Sequence, residues 1–491
     1  MVYHLAVDLG ASSGRHILSH LEDGRLILEE IYRFPNKQIM IDGHACWDLS
    51  YLEESILEGL KICPKLGKIP AAISINTWAV DFVLLDSKQE LLGSAVSYRD
   101  KRTEGLDIEL EKNLPFEELY QRCGIQKQIF NTIYQLLAVK KQNPDQLSKA
   151  QYFLMLPDYF NFKLTAMLRN EYTNATSTSL VNVKTMDWDW EIIKKLELPS
   201  QIFQDIGQPG ESLGYFTPEI QEIVGFNSEV LLTTSHDTAA AFLGTPTLGP
   251  HSAILSSGTW SLLGANIKKA NTNKLAQKAN FTNEGGYGKS YRFLKNIMGL
   301  WMIQSIRREL NGEFYVEKQD QHSPKELVHP LIQSSLKKDS WSYTDLSLLA
   351  KEHANEALLI DVNDAIFLAP NSMIEAIFTY CKRENLPLIN NLGQLMATVY
   401  KSLARAYKDA IQELEACLGY EVNSLHIVGG GSQDMYLNDL CAQVTGKKVL
   451  AGPVEATSIG NLLVQYLSQN EIKNIEDAKT IIRHSFEIKE V

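Results

Sequence analysis

Long apolar stretches are missing from this chain of 491 residues. No run approaches the roughly 18 consecutive apolar residues that a membrane-spanning helix needs, so no membrane partner is predicted. The first residues (MVYH) enter a strand-like run directly, without the basic and apolar regions of a secretory signal, which favours a cytoplasmic protein. The six cysteines are scattered and form no CxxC pair, so we expect reduced thiols in the core.

Positive charge is also scarce. Lys and Arg number 47 against 59 Asp and Glu, which gives a net charge of −12. A protein that wraps nucleic acid needs a basic face for the phosphates, so no nucleic-acid partner is expected. The G-x-x-x-x-G-K-[ST] motif does not occur, which argues against a Walker-type ATPase. A local loop can still bind a small phosphate compound.

The composition that is present is that of a globular protein with more than one core. Hydrophobic residues make up 44% and charged residues 22%, which is usual for globular domains. A chain of 491 residues exceeds what one hydrophobic core usually serves. The densest Gly/Pro cluster is GTPTLGP at residues 244–250. We therefore predict two domains, at residues 1–245 and 246–491.

A polar stretch near the middle, TTSHDTAAA at residues 233–241, lies between an apolar run and a helix-like run. The run VLL at residues 230–232 predicts a buried strand. Asp237, flanked by His236 and Thr238, is then expected just beyond the carboxyl end of that strand, where open α/β sheets bind ligands. A helix N-cap is the alternative role for this turn, because Ser, Thr and Asp all suit that position.

A second turn of small residues lies near the start of the chain. A strand at residues 5–7 ends at DLGASSGR, residues 8–15, and two further strands predict a β-meander. Gly and Ser let backbone N–H groups converge on an anion and add hydroxyl donors, which suits a phosphate. A plain hairpin turn with a hydrogen-bonded Asp8 is the alternative. After the meander, Asp48 is placed to cap a helix.

A carboxylate also interrupts an apolar stretch in the first half. Residues 71–76 predict a buried strand, and the alternating pattern of residues 77–86 predicts a second strand that contains Asp81. A lone buried acid is costly, so Asp81 either lines a cleft or is paired with a polar group of the core. Further on, the polar run NATSTS at residues 174–179 predicts a loop, with a simple turn as the alternative.

The second half begins as the first does. A strand at residues 253–255 runs into SSGTWS, residues 256–261, and another strand follows. This repeat of strand, hydroxyl-rich loop and strand indicates a two-fold architecture that grips a nucleotide between its halves. Asn296 and Gln304 are polar positions in an otherwise apolar segment, where helix capping or a surface position is the alternative to ligand binding.

Three consecutive glycines follow a later strand, in LHIVGGGSQD at residues 425–434. They nearly match the dinucleotide motif, but Asp434 stands where the third glycine belongs. Without side chains, a flat ring or a phosphate can approach the backbone, so a nucleotide contact is predicted, with a turn that starts a helix as the alternative. Residues 393–418 predict a long amphipathic helix, and residues 452–461 lead into the expected last helix.

Several of these motifs, taken in their order along the chain, resemble the FGGY carbohydrate kinase family. They are VDLGASSGR at residues 7–15, SHDT at 235–238, SGTWS at 257–261, Asn296 with Gln304, and the glycine turn at 429–432. The resemblance spans nearly the whole chain. It implies an α/β protein of two actin-like (ribonuclease-H-like) domains with a catalytic cleft between them. Residues 1–245 would then bind the sugar and residues 246–491 would bind ATP.

The resemblance also implies roles for individual residues. Asp237 matches the catalytic base, and Asp8 matches the acidic residue near the metal, which is expected to be Mg²⁺. The expected substrate-binding residues are Ala79, Asp81, His236, Asp237, Thr238 and Asn296. The expected ATP-binding residues are Ala11, Ser12, Ser13, Gly14, Arg15, Thr259, Gln304, Gly430 and Gly431.

The implied activity is the ATP-dependent phosphorylation of a small ketose, with L-rhamnulose and its 1-phosphate expected first. Phosphoryl transfer needs positioning and charge neutralisation, which carboxylates and hydroxyl-rich loops supply. The family members that this chain most resembles usually have Gly where Ala79 stands, and the added methyl narrows the pocket, so another ketose such as L-fuculose is the alternative. A non-catalytic actin-like regulator is a third reading. A monomer or a small homo-oligomer is expected.

Overall fold

The computed structural model describes residues 1–313, 328–334 and 338–491. Its strands are β1 (Tyr3–Leu9), β2 (Ser13–Glu22), β3 (Arg25–Pro35), β4 (Gln38–Ile41), β5 (His44–Trp47), β6 (Pro70–Thr77), β7 (Phe82–Leu85), β8 (Tyr152–Met155), β9 (Asn170–Glu171), β10 (Val181–Asn182), β11 (Asp187–Trp188), β12 (Ile206–Gly207), β13 (Ser212–Tyr215), β14 (Glu229–Leu231), β15 (Ser252–Ser257), β16 (Trp260–Ile267), β17 (Thr282–Gly285), β18 (Tyr291–Met298), β19 (Ser424–Val428), β20 (Lys448–Ala451) and β21 (Lys489–Glu490).

The α-helices alternate with these strands along the chain. They are α1 (Leu49–Leu60), α2 (Ile62–Leu66), α3 (Leu106–Glu111), α4 (Phe116–Cys123), α5 (Thr132–Gln142), α6 (Pro144–Lys149), α7 (Leu156–Thr165), α8 (Tyr172–Ala175), α9 (Trp190–Lys195), α10 (Pro218–Val224), α11 (Asp237–Leu243), α12 (Lys274–Lys278), α13 (Trp301–Asn311), α14 (Pro330–Gln333), α15 (Tyr343–Glu352), α16 (Met373–Arg383), α17 (Leu392–Leu418), α18 (Met435–Thr445), α19 (Ala456–Ser468) and α20 (Ile475–Ser485).

The chain divides into two compact units. The first comprises Met1–Pro246, Asn266–Phe293 and Ala456–Glu487, and the second comprises Thr247–Ala265, Leu294–Glu455 and Ile488–Val491. The first unit therefore contains two segments from the second half of the chain. The assignment of sugar binding to residues 1–245 and of ATP binding to residues 246–491 stays a prediction.

A six-stranded mixed sheet in the first unit has the strand order β13-β14-β6-β1-β2-β3. β1, β2 and β3 are consecutive antiparallel strands, so the predicted β-meander is confirmed. β6 runs parallel to β1, and β14 runs parallel to β6. Parallel strands need long crossover connections, and helical segments accordingly lie between β6 and β14 in the sequence.

Both faces of this sheet are covered, which explains the short, nearly continuous apolar run of β1. Leu5 and Val7 pack with Leu52 of α1 on one face. Ala6 packs with Leu462 of α19 on the other face. A strand buried on both faces tolerates few polar residues. Asp8 is one of them and lies between the buried side chains of Val7 and Leu9. The helix in this layer begins as predicted, because Asp48 caps α1.

The strands of the second unit lie in the order β18-β16-β15-β19-β20-β21. β15 pairs antiparallel with β16 and parallel with β19, which repeats the arrangement of β1 with β2 and β6. The predicted long helix is α17, which begins after its N-cap Asn391 and ends at Gly419 in the left-handed conformation. The six cysteines are free and buried, as predicted. Within the described ranges, no helix is long and apolar enough to cross a membrane.

Two local predictions are wrong, and the structure decides between the two alternatives of a third. Residues 77–86 do not form one alternating strand, because the backbone turns at Val80, whose φ is 67°, and β7 is only Phe82–Leu85. At residues 174–179 the structure has the turn and not the open loop, since α8 and a 3₁₀ turn at Thr176–Thr178 bury this polar run. The helix after residues 452–461 is α19, and it is not the last helix because α20 follows it.

Candidate active site

Asp237 begins helix α11, six residues after the end of β14. His236 occupies the N-cap position and makes no side-chain capping bond, so Asp237 lies in the first turn and is not the N-cap residue. Its Oδ1 accepts hydrogen bonds from the backbone N–H of Thr238 at 2.6 Å and from the Thr238 hydroxyl at 3.1 Å. About a third of the Asp237 side chain is exposed (34%), which leaves the carboxylate accessible to a ligand.

The surroundings of Asp237 favour a proton-accepting role. Burial raises the pKa of Asp237, and the negative charge of Asp8 adds to the rise, while His236 and the bonds from Thr238 act in the opposite direction. A carboxylate with a raised pKa is a stronger base, so the shift brings the group closer to what proton transfer near neutral pH needs.

Asp8 lies near the buried end of β1 and accepts hydrogen bonds from the side chains of Arg15, Asn76 and Ser458. Arg15 donates to its Oδ2 from Nη2 at 2.9 Å and from Nε at 3.1 Å. Asn76 donates to its Oδ1 at 2.6 Å. A chain of buried amides continues from there, because Asn461 donates to Asn76 at 2.7 Å and Gln465 donates to Asn461 at 2.9 Å. Asp8 thus has a fixed orientation at the strand end.

The turn after Asp8 combines packing with an accessible backbone. It closes with a hydrogen bond from the N–H of Gly10 to the carbonyl of Ser13 at 2.9 Å. Ser12 is exposed, and Ala11, Ser13 and Arg15 are partly exposed. Gly14 serves packing, since a Cβ there would lie 2.2 Å from the ring of Phe34. The predicted phosphate contacts of these residues stay predictions, and the guanidinium of Arg15 is engaged by Asp8.

The turn that contains Ala79 is strained and tightly held. Val80 has φ of 67°, which is an outlier for a β-branched residue, and the N–H of Asp81 donates to the carbonyl of Ala79 at 2.9 Å. The Val80 carbonyl accepts from the hydroxyl of Thr132 at 2.7 Å, and its N–H donates to Ser177 at 3.2 Å. Strain of this kind persists only where several bonds determine the backbone, and such sites cluster at ligand-binding positions. Ala79 is partly exposed at this turn.

Asp81 does not line an open surface in this structure. It is 1% exposed and accepts hydrogen bonds from Trp47 Nε1 at 2.7 Å, Trp78 Nε1 at 2.9 Å and Gln135 Nε2 at 3.1 Å. Burial raises its pKa against these three bonds. Of the two alternatives from the sequence, pairing in the core describes Asp81, and a direct contact with substrate is left without structural support.

His236 lies against a buried ion pair that the sequence did not reveal. Arg292 Nη2 is 3.0 Å from His236 Nδ1 and 3.0 Å from Glu284 Oε2. Glu284 Oε2 is 3.2 Å from the same Nδ1, and His236 Nε2 is 3.4 Å from Asp237 Oδ1. Although burial acts to raise it, the neighbouring charge of Arg292 lowers the pKa of Glu284 to about 2. Glu284 is therefore ionised.

Glu171 fixes the backbone that leads into Asp237, and it too was missed. Its Oε2 accepts from the N–H of Ser235 at 3.1 Å, the Ser235 hydroxyl at 2.6 Å and the Thr173 hydroxyl at 2.6 Å. Thr173 in turn accepts from the N–H of His236 at 3.3 Å. Burial raises the pKa of Glu171 in spite of these bonds. No local pattern links this acid to the site, because Ser235 lies 64 residues away in the sequence.

The second unit carries a neutral loop of related design. The hydroxyl of Thr259 donates to Gln304 Oε1 at 3.3 Å, so two predicted ATP contacts lie together. The first turn of the helix is tied to this loop, because Leu300 N–H donates to the carbonyl of Gly258 at 3.0 Å and Trp301 N–H to that of Thr259 at 3.1 Å. The loop and α13 therefore form one structural element.

The three glycines after β19 have different structural reasons. Gly429 has φ of 81°, which favours glycine. A Cβ on Gly431 would lie 2.0 Å from the Ser257 Oγ, so Gly431 allows the turn to pack on β15. Gly430 has no atom within 4 Å of where its Cβ would be and is exposed. Of the three, Gly430 offers the open backbone that a nucleotide needs.

Asn296 lies in β18 within the second unit and has an incomplete hydrogen-bond set. Its Oδ1 is buried and has no hydrogen-bond partner among the residues described. A buried acceptor without a donor is costly unless a ligand or water satisfies it. This observation supports the sugar-contact role that the resemblance implies for Asn296, which stays a prediction.

The donor set around Asp8 fits Mg²⁺. This cation prefers hard oxygen ligands, retains several waters and needs only one or two carboxylates. Oδ2 of Asp8 is engaged by Arg15 and Ser458, so Oδ1, which accepts from Asn76 alone among the described residues, is the oxygen that suits the cation. In the described part of the chain, no group of three or more His, Cys, Asp or Glu side chains forms a metal centre.

Family models match both parts of the chain. Residues 3–244 match the N-terminal domain of the FGGY family of carbohydrate kinases, and residues 253–468 match the C-terminal domain of that family. A rhamnulokinase of Oceanobacillus iheyensis is 43% identical over 485 residues, which cover 99% of this chain and 97% of the relative. A rhamnulokinase of Bacillus subtilis is 37% identical over 100% of this chain and 95% of the relative.

Solved structures have the same fold at low identity. A xylulose kinase from Lactobacillus acidophilus gives a TM-score of 0.78 at 15% identity, over 100% of this chain and 93% of that chain. A Plasmodium falciparum glycerol kinase with ADP gives a TM-score of 0.76 at 14% identity, over 99% of this chain and 94% of that chain. The predicted actin-like α/β fold is confirmed.

Proposed function

Because this chain belongs to the FGGY family of carbohydrate kinases, we propose that it transfers the γ-phosphate of ATP to the 1-hydroxyl group of L-rhamnulose. The observation that carries this proposal is the end-to-end similarity to proteins named rhamnulokinase. The product is L-rhamnulose 1-phosphate, and ADP is released.

Asp237 is the general base in this proposal. Its partly exposed carboxylate accepts the proton of the sugar hydroxyl while the new O–P bond forms and the bond from the γ-phosphorus to the bridging oxygen of ADP breaks. The bonds from Thr238 hold the Oδ1 side of the carboxylate and leave Oδ2 for the hydroxyl. The raised pKa of Asp237 supports this assignment.

In the first unit, His236 and Thr238 offer an imidazole and a hydroxyl to the sugar, and the backbone at Ala79 is partly exposed. In the second unit, Asn296 offers a buried amide oxygen that has no hydrogen-bond partner among the described residues. Asp81 acts through the core. It accepts hydrogen bonds from Trp47, Trp78 and Gln135 and so fixes these side chains beside the turn that contains Ala79.

ATP is bound by the hydroxyl-rich loops and by the glycine turn. Ser12 and Ser13 donate to the phosphates together with neighbouring amides, and Arg15 and Asp8 set the charge of that loop. Thr259, Gln304, Gly430 and Gly431 belong to the nucleotide site of the second unit. Asp8, together with water, would hold Mg²⁺, whose charge would neutralise that of the transferring phosphate.

A coupled ADP-release assay over a panel of sugars tests the proposal. The panel contains L-rhamnulose, L-fuculose, L-ribulose, D-xylulose and glycerol, each with and without Mg²⁺. We expect the highest kcat/KM with L-rhamnulose and dependence on Mg²⁺. Good activity on L-fuculose without activity on L-rhamnulose would refute the choice of sugar, and no turnover on any member would favour a binding protein without catalysis.

A different ketose is the second candidate, and Ala79 is the observation that favours it. The methyl of Ala79 stands on a strained turn whose backbone is fixed by Thr132 and Ser177, so the turn cannot move easily to make room. If this methyl limits the pocket, Ala79→Gly raises kcat/KM for the bulkier sugars of the panel more than for the smallest.

A further inference from the structure

We propose that Arg292 is a positioning residue that fixes the imidazole of His236 in the tautomer with its proton on Nε2. The consequence for the reaction rests on the proposed function, in which His236 contacts the sugar. The tautomer itself is a property of the protein alone. Neither Arg292 nor its partner Glu284 belongs to a motif that the sequence singled out.

The direction of the hydrogen bonds follows from the chemistry of the guanidinium. Arg292 Nη2 lies 3.0 Å from His236 Nδ1, and an arginine side chain can only donate. Nδ1 must therefore accept, and it carries no proton. The neutral imidazole then has its proton on Nε2, the nitrogen that lies 3.4 Å from Asp237 Oδ1. That N–H points towards the site of the base.

Glu284 makes the buried arginine tolerable and does not compete for Nδ1. Arg292 is 0% exposed, and its charge is matched by Glu284 Oε2 at 3.0 Å. Arg292 Nε also donates to the carbonyl of Gly285 at 2.9 Å, which fixes the plane of the guanidinium. Glu284 Oε2 is 3.2 Å from Nδ1 but has no bond of hydrogen-bonding geometry within the described residues. The donor at Nδ1 is thus Arg292.

Stability alone does not account for this ion pair. Arg292 Nη1 is buried and has no hydrogen-bond partner in the part of the chain that the structure describes. Burying a charged pair often costs more in desolvation than it returns, and an unpaired nitrogen adds to the cost. A pair of apolar side chains would fill the same space without this cost. The role of the ion pair in the site is then to orient His236 through the bond from Arg292.

The fixed tautomer gives His236 and Asp237 different roles, one as a hydrogen-bond donor and the other as the proton acceptor. An imidazole with a bare Nε2 would be a second proton acceptor beside Asp237. With its proton on Nε2, His236 donates to a sugar oxygen and leaves the carboxylate of Asp237 as the acceptor. A donor also selects sugar oxygens that can accept, so the pair contributes to the orientation of the ketose.

The test compares two double variants of the whole chain. Arg292→Met with Glu284→Gln removes the ion pair without leaving a buried charge. Arg122→Met with Asp189→Asn is the matched control, because Arg122 donates to Asp189 at 2.8 Å and 2.7 Å in the same unit. The ¹⁵N NMR signals of labelled histidine report the tautomer, and the His236→Asn spectrum assigns the signal. Kinetics use the sugar that the panel identifies.

We expect wild-type His236 to show a protonated Nε2 and a bare Nδ1, and the Arg292/Glu284 variant to show a mixture of tautomers. We expect the KM for sugar to rise roughly tenfold in that variant, which corresponds to one lost oriented hydrogen bond, while the KM for ATP is unchanged. Arg292→Lys, which keeps a donor, is expected to restore most of the bare Nδ1 signal. The control pair is expected to leave the tautomer and both KM values as in wild type.

Two results would overturn the inference. The first is a proton on Nδ1 in the wild type, whether in the neutral ring or in the imidazolium form. The second is an Arg292/Glu284 variant with the wild-type tautomer and the wild-type sugar KM. The NMR result does not depend on turnover, so a wild-type enzyme that phosphorylates none of the panel would refute the proposed function while the tautomer is still read directly.

Discussion

Two loops of this chain share a topology and differ in charge. In the first, β1 runs antiparallel to β2 and parallel to β6; in the second, β15 runs antiparallel to β16 and parallel to β19. A glycine N–H closes each turn, Gly10 to Ser13 at 2.9 Å and Gly258 to Trp260 at 3.0 Å. Two residues before that glycine, the first loop has Asp8 and the second has Ser256.

The surroundings of the two loops follow this difference. In the first unit, two acids have cationic partners, since Arg15 holds Asp8 and Arg292 holds Glu284. The second loop is held by neutral groups, for example the Ser261 and Tyr407 hydroxyls at 2.7 Å. The same backbone arrangement thus presents an ion pair in one unit and neutral side chains in the other, and the proposed function assigns the metal and the base to the first.

Of the variants that test the difference between the two units, loss of the base is expected to have the largest effect on kcat. Asp237→Asn removes proton acceptance and keeps the shape, so kcat should fall roughly a thousandfold, within the usual range for general-base catalysis. Sugar binding, measured by calorimetry, should be retained. Asp205→Asn is the control, because that carboxylate is on the surface of the same unit (94% exposed). A variant that keeps the wild-type rate would end the catalytic assignment.

Asp8 is expected to be next in size. Asp8→Asn removes the negative charge of the first loop, and kcat should fall roughly a hundredfold, with a higher Mg²⁺ concentration for half-maximal rate. Ser458→Ala is the control, because its bond to Asp8 is long, at 3.4 Å. Unchanged Mg²⁺ dependence in Asp8→Asn would show that the charge of this loop does not serve the metal.

Local sequence signals predicted much of this architecture. The β-meander, the Asp48 cap and α17 follow from patterns within a few neighbouring residues, which is also why the two similar loops could be recognised. Asp8 and Asp237 could be singled out because each is the first acid after a buried apolar run. The wrong strand at residues 77–86 had the right alternation, but long-range bonds from Thr132 and Ser177 impose a turn at Val80.

The partners of the site could not be predicted, because they depend on contacts distant in sequence. Arg292 meets His236 across 56 residues, and Glu171 meets Ser235 across 64. Asn461 reaches Asn76 across 385 residues, because α19 returns to the sheet of the first unit. Arg292 and Glu171 stand in no motif of the sequence, and their burial is established only by the fold.

Glu309 of the second unit allows the comparison of charged and neutral surroundings to be made through the pH dependence of stability, because its hydrogen-bond partners are neutral donors. It accepts from the Ser372 hydroxyl and from the N–H groups of Met373 and Ile374. Burial raises its pKa to about 7, from a usual value of 4.5. The folded state therefore binds an extra proton between these pH values, and stability falls as pH rises through them. Relative to wild type, Glu309→Gln should gain up to about 3 kcal/mol of stability between pH 4.5 and pH 8.

Glu284→Gln is the matched control for this pH prediction. The lowered pKa of Glu284, about 2, means that its contribution is complete above the usual carboxyl range and is lost only when pH falls from about 4.5 towards 2. The stability difference between Glu284→Gln and wild type should therefore stay constant from pH 5 to pH 8. Urea unfolding at several pH values measures both variants. If the stability difference between Glu309→Gln and wild type were constant over the same range, the carboxyl of Glu309 would not have the raised pKa that its buried, neutral surroundings predict.

The smallest expected effects separate packing from nucleotide contact within the glycine turn. Gly431→Ala places a methyl 2.0 Å from Ser257 Oγ, so stability should fall by about 1–3 kcal/mol. Gly430→Ala meets no atom within 4 Å, so stability should stay within about 0.5 kcal/mol of wild type. If the nucleotide lies against this open backbone, Gly430→Ala still raises the KM for ATP roughly tenfold, since one methyl blocks close approach and removes a contact of about 1–2 kcal/mol. Thermal unfolding and ATP titration of the two variants check both expectations. An unchanged ATP KM in Gly430→Ala would show that the nucleotide does not contact this part of the glycine turn. Thr259 and Gln304 would then be the neutral contacts to test.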